Sequence, residues 1–172
     1  AAVVGTAATI LRECWGSRRL LLGGLAALPF AVDLARRVEH DGIDHVHCHF
    51  ATHPALVGWV VHRLTGTPYS FTAHGSDLHR DRRMLATKVR DAAFVVTVSE
   101  FNRRVILETC GSGVGTPVEV VHCGIDQRRF ECRPTTRRDG TPVRVCCTGT
   151  LHEVKGQTHL IEACRRLVAD GI

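Results

Sequence analysis

Tyr69-Ser70-Phe71-Thr72-Ala73, followed at once by His74-Gly75-Ser76-Asp77, reads as a buried strand that breaks into a polar turn. The run is rich in aromatic and β-branched residues, and the turn supplies the glycine and short polar side chains that end a strand. Residues 43–48, 94–98, 118–122 and 143–148 have the same character. The first positions of these runs step by about 25 residues, the length of one strand plus one crossover helix.

The segments between the first four runs read as helices. Ala31, Leu34, Ala35 and Val38 share one face ahead of His40-Asp41-Gly42, a helix stop. Pro54 sits where a first helical turn tolerates it, and residues 55–64 continue to Gly66. Ser99 is an N-cap with Glu100 in the first turn, and that helix ends near Gly111. Such alternation predicts an α/β fold, a Rossmann-like parallel sheet with flanking helices.

Beyond His122 the rhythm breaks. Residues 127–142 are charged, carry two prolines and lack apolar periodicity, so they read as an interdomain linker. One strand, a glycine turn and a helix with Leu160, Ile161, Cys164, Leu167 and Val168 on one stripe follow. The expected division is a domain over 1–126, the linker over 127–142, and a second domain begun at 143–172. A unit of about 30 residues does not bury a core alone, so the second domain is expected to be truncated.

The chain has 172 residues, 44% hydrophobic and 23% charged, within the ordinary globular range. Its formal net charge of +5 suits anionic partners, but the basic residues are scattered or doubled and aromatics are only 5%, which argues against nucleic acid. Eight cysteines include no Cys-x-x-Cys pair, and several lie in apolar runs, so they read as reduced thiols of a cytosolic protein. No apolar run reaches the roughly 18 residues that span a bilayer. Residues 20–32 read as a core helix, with contact at a membrane surface as the alternative.

Ligands of open α/β sheets bind outside the carboxyl ends of strands. There, His74-Gly75-Ser76-Asp77 offers an imidazole, a flexible glycine, a hydroxyl and a carboxylate, although an ordinary capping loop would look alike. Gly149-Thr150-Leu151-His152-Glu153-Val154-Lys155-Gly156 leads into a helix, where free N–H groups and a lysine suit a phosphate or diphosphate. An exposed loop lysine is the competing reading. His45, His47 and His49 alternate on one strand face, but no Asp, Glu or second Cys is placed to complete a metal site with them. No metal is expected.

In order, the chain reads His-Val-His-Cys-His-Phe-Ala, Phe-Thr-Ala-His-Gly-Ser-Asp-Leu, Val-Thr-Val-Ser-Glu-Phe-Asn-Arg, Val-Val-His-Cys-Gly-Ile-Asp-x-x-x-Phe and Gly-Thr-Leu-x-x-x-Lys-Gly. This series resembles the family 4 glycosyltransferases, particularly those of exopolysaccharide and colanic acid type, from about residue 35 to 172. The resemblance implies a GT-B fold, here its late acceptor-side domain and the first βα unit of its donor domain. It implies retaining transfer of a hexosyl group from a nucleotide sugar to a saccharide or lipid-linked saccharide, without cofactor or obligatory metal. By that analogy His74 and Asp77 are the catalytic-loop residues, and His47, His49, Ser99, Glu100, Gly124 and Asp126 line the cleft. Gly149, Thr150, Lys155 and Gly156 would hold the donor diphosphate. Thr150 stands where many relatives have arginine, and the family's Glu-x7-Glu motif belongs downstream of Ile172, so this piece alone is expected to be inactive. The resemblance places the parent in the cytoplasm, with the inner face of the plasma membrane as a contact. A non-catalytic nucleotide- or phosphate-binding module is the alternative.

Overall fold

Four of the five β-prone runs pair into one parallel sheet: β1 (Val46–His49), β2 (Tyr69–Ala73), β3 (Phe94–Thr97) and β4 (Val118–Val120), ordered as in the chain. The computed structural model describes residues 2–111, 113–130 and 142–171. It divides into two compact units, Ala1–Ile125 and Asp126–Ile172. The sheet belongs to the first, with Val46 opposite Tyr69, Ser70 opposite Phe94 and Val95 opposite Val118.

Because successive strands are neighbours, right-handed crossovers all step in one direction and leave their helices on one face. These helices are α3 (His53–Thr65), the short α4 (Ser76–His79) with α5 (Leu85–Asp91), and α6 (Glu100–Cys110). Val46, Cys48, Val95 and Val118 face them, while His47, His49 and Phe94 alternate to the other side and are exposed. α1 (Ala2–Glu13) and α2 (Arg18–His40) form an outer layer over α3. The chain is thus Rossmann-like α/β, as the alternation predicts.

α2 begins earlier than its apolar stripe suggests. Ser17 caps it, its hydroxyl accepting from Leu20 N at 3.4 Å, and the helix runs through Pro29. Proline removes one ladder bond, but burial of Leu20, Gly24, Ala31, Ala35 and Val38 holds the helix together around it. Gly23 and Gly24 permit the close approach: an added Cβ would lie 2.3 Å from His53 Nε2 and 2.9 Å from Leu56 Cδ2 respectively. Residues 20–32 therefore belong to this packed helix. Among the described residues no helix is long and apolar enough to cross a membrane.

In the second unit the fifth run does not form a strand. Residues 143–148 pair with no strand among the described residues, and Val143 and Val145 are exposed. An extended segment becomes a strand only when a neighbour satisfies its backbone groups. The helix predicted after it is present as α7 (Gln157–Ala169), with Ile161 and Val168 exposed. Of the predicted linker, Gln127–Arg129 form one short 3-10 turn, and residues 131–141 lie outside the described residues.

Candidate active site

The turns after β1 and β2 lie side by side, because the two strands pair in register from Val46 and Tyr69 onward. Phe50 N donates to Thr72 O at 2.8 Å and carries the ladder one step past β1. There Phe50 adopts φ 79, a left-handed conformation that costs a non-glycine residue about 1–3 kcal/mol. The turn that requires it brings the Phe50 ring to 4.7 Å from the His74 ring.

Asp77 is buried and holds both turns. Its carboxylate accepts from Ala51 N at 2.7 Å, from His74 N at 3.1 Å and from Gly75 N at 2.6 Å. Three backbone N–H donors engage both oxygens of the carboxylate, a geometry that suits shaping the loop rather than meeting a reactant. Gly75, at φ 145, takes a conformation that side chains rarely adopt.

His74 is half-buried at the carboxyl end of β2, with its Nε2 3.3 Å from His49 Nδ1 and the two rings stacked at 5.6 Å. One shared proton satisfies that pair, and the opposite ring nitrogens remain for a ligand. His47 differs. Its Nδ1 lies 2.7 Å from Ser70 Oγ and its Nε2 2.9 Å from Thr72 Oγ1, so both nitrogens are committed across the sheet face. Burial, then neighbouring His49 and His45, lowers its pKa below the usual histidine value. His45 shares the same Ser70 hydroxyl at 2.7 Å and stacks on Phe94. Among the described residues, no three His, Cys, Asp or Glu side chains gather as metal ligands.

Residues 10–129 match the family model described as Glycosyltransferase Family 4. The chain belongs to glycosyltransferase family 4. No curated protein matches it.

In this family 4 chain, the remaining predicted residues fall in different surroundings. Ser99 caps α6 by accepting from Asn102 N at 3.2 Å, and Glu100 is exposed and pairs with Arg103 at 3.6 Å. Gly124 is exposed without a neighbour that a Cβ would meet. Asp126 caps the 3-10 turn through Arg128 N at 3.1 Å. Gly149, Thr150, Lys155 and Gly156 form the turn ahead of α7. Lys155 N donates to His152 O at 2.8 Å, Gln157 Nε2 to Thr150 O at 2.9 Å, and Gly156 turns the chain at φ 69. An added Cβ at Gly149 would lie 3.9 Å from Lys155 Cγ, so the lysine stem folds back over that glycine at the helix start.

Two positioning residues escaped the sequence reading. Buried Asn102 donates from Nδ2 to His74 O at 3.3 Å and lies 3.1 Å from His79 Nε2, tying α6 to the histidine loop. Buried Lys88 donates to Ala51 O, and at 3.5 Å to Thr52 O, gripping the turn whose N–H Asp77 holds. Burial pushes its ammonium down to about 8. The signal was available: Lys88 lies on the stripe of Leu85 and Val89, where a charge implies a buried partner.

Proposed function

We propose that the protein containing this chain is a retaining hexosyltransferase of exopolysaccharide or colanic acid type, working in cell-envelope synthesis. It takes a hexosyl group from a nucleotide sugar and passes it to a saccharide or lipid-linked saccharide. The donor's anomeric C–O bond to the diphosphate breaks, the acceptor hydroxyl oxygen bonds to that carbon on the same face, and the hydroxyl proton passes to the departing nucleoside diphosphate. The observation that carries this reading is the His49–His74 pair at adjacent strand ends, on a turn fixed by Asp77 and Asn102 in a family 4 chain. His74 would face the transferred sugar, with its ring held against His49 and Phe50.

Lys155, with Gly149 and Gly156, would receive the diphosphate at the start of α7 and stabilise charge on the leaving nucleotide. The reading assigns 1–126 to the acceptor side, 127–142 to the linker and 143–172 to the beginning of the donor side. It needs no metal and no further cofactor. A cytoplasmic enzyme at the inner face of the plasma membrane suits such acceptors.

The test is donor turnover by the protein that contains this chain, offered UDP-, GDP- and ADP-sugars with saccharide acceptors. Nucleotide release with at least one donor is expected. His74→Ala and Lys155→Ala should each reduce it about 100-fold. Absence of turnover with every donor, or variants equal to wild type, would overturn the transfer reading and favour a binding module.

A further inference from the structure

A cleft of about 210 Å³ opens beside the histidine pair, between the first turn of α2 and α4, lined by Arg19, Leu20, Phe50, Thr52, Ser76 and Arg80. Asp77 and Asp81 also reach its wall. Neither carboxylate offsets the cations. Asp77 is held by backbone N–H groups and its charge faces the buried Lys88 ammonium, and Asp81 pairs with Arg83 at 2.8 Å. Hydrogen bonds from Ser17 and Arg83 hold the Asp81 carboxyl below its ordinary pKa despite its partial burial. Among the described residues neither Arg19 nor Arg80 is paired with a carboxylate.

Two unpaired guanidinium groups with two hydroxyls, Thr52 and Ser76, therefore line one small space. We propose that this cleft is an oxyanion site for a phosphate ester borne by the acceptor, a subsite of the transfer reading on which it rests. A single carboxylate would neutralise half of the cationic charge, whereas a phosphate monoester carries about −1.5 to −2 and presents three terminal oxygens to guanidinium forks. Phe50 forms part of the cleft wall and its ring also lies 4.7 Å from the His74 ring, so one side chain borders both the cleft and the imidazole. The donor diphosphate is read elsewhere, at Lys155. The ester is either a soluble sugar phosphate or a lipid headgroup.

Titration calorimetry of the full chain with inorganic phosphate, and flotation with phosphatidylcholine vesicles with and without phosphatidic acid, test the site. Saturable phosphate binding is expected, weakened about tenfold by Arg19→Gln and again by Arg80→Gln, and unchanged by Arg36→Gln on the exposed side of α2. Flotation that needs phosphatidic acid, Arg19 and Arg80 supports the site and assigns it to a lipid headgroup; binding of phosphate alone assigns it to a soluble ester. Binding of neither probe, or binding equally sensitive to Arg36→Gln, overturns the proposal. Phosphate binding by a parent protein without transferase activity would sink the transfer reading and spare the cleft. Transfer without binding of either probe would do the reverse.

Discussion

Replacing Asp77 by alanine should loosen both turns of the candidate site and weaken the first unit by about 3–4 kcal/mol. A buried donor left unsatisfied costs about 1–3 kcal/mol. Of the donors that Asp77 holds, Ala51 N is enclosed, since Ala51 is 2% exposed, and should take about 2 kcal/mol of that range. His74 N and Gly75 N are half-buried, so water replaces part of each bond and about 0.5–1 kcal/mol remains apiece. Asp77→Asn keeps the shape but turns an amide N–H toward backbone N–H groups, and should lose about half as much. Urea unfolding followed by Trp59 fluorescence is the assay. Trp59 is buried, with its indole N–H donating to Asp91 at 2.7 Å, whereas Trp15 is already exposed and contributes little change. A stability for Asp77→Ala within about 0.5 kcal/mol of wild type would show that the carboxylate does not organise these turns.

Two further outcomes follow from packing and charge. Gly58→Ala would place a Cβ 2.4 Å from Cys48 Sγ and 3.1 Å from Tyr69 Cδ2, and should destabilise the unit by about 1–3 kcal/mol by the same assay. Adding Cys48→Ala should recover most of that loss, and no recovery would refute the clash. Lys88 has a folded pKa of about 8, below the unfolded value of about 10.4, so the unfolded chain binds more protons between those values and stability rises with pH across that window. Below about pH 8 the cost of the buried ammonium is fully present. Wild type measured against Lys88→Met should therefore gain about 2–3 kcal/mol between pH 7 and pH 10, and a flat difference would contradict the buried charge. The Cys14 thiol, pushed up by burial and drawn partly back down by Lys88, acts in the opposite direction in both proteins.

Much of the frame was legible without coordinates. Strand identity follows from short β-branched and aromatic runs, and Tyr69–Ala73 forms the buried β2 at the bounds its sequence suggests. Ser99 and Gly66 mark helix ends because capping chemistry is local: a hydroxyl for free N–H groups, a glycine for a left-handed exit. The order of motifs carried the family.

Partners distant in sequence were not legible. Residues 143–148 have strand composition, yet strand formation depends on a neighbour, and composition says nothing of whether one is present. Pro29 removes one bond from the α2 ladder, and only the packing of α2 on α3 shows that the helix continues through it. His47 and His49 are chemically alike and two residues apart, and only pairing with β2 separates them: Ser70 and Thr72 occupy one ring, while strand-end geometry delivers the other to His74. The same holds for Asp77 and Lys88, whose turn-binding contacts reach Ala51 across 26 and 37 residues. Periodicity and caps are written over a few neighbouring residues, so the sequence by itself determined the elements and the family. Burial and long-range hydrogen bonding exist only once strands are in register, so the tertiary structure alone decided which polar side chains shape the site and which remain free to act.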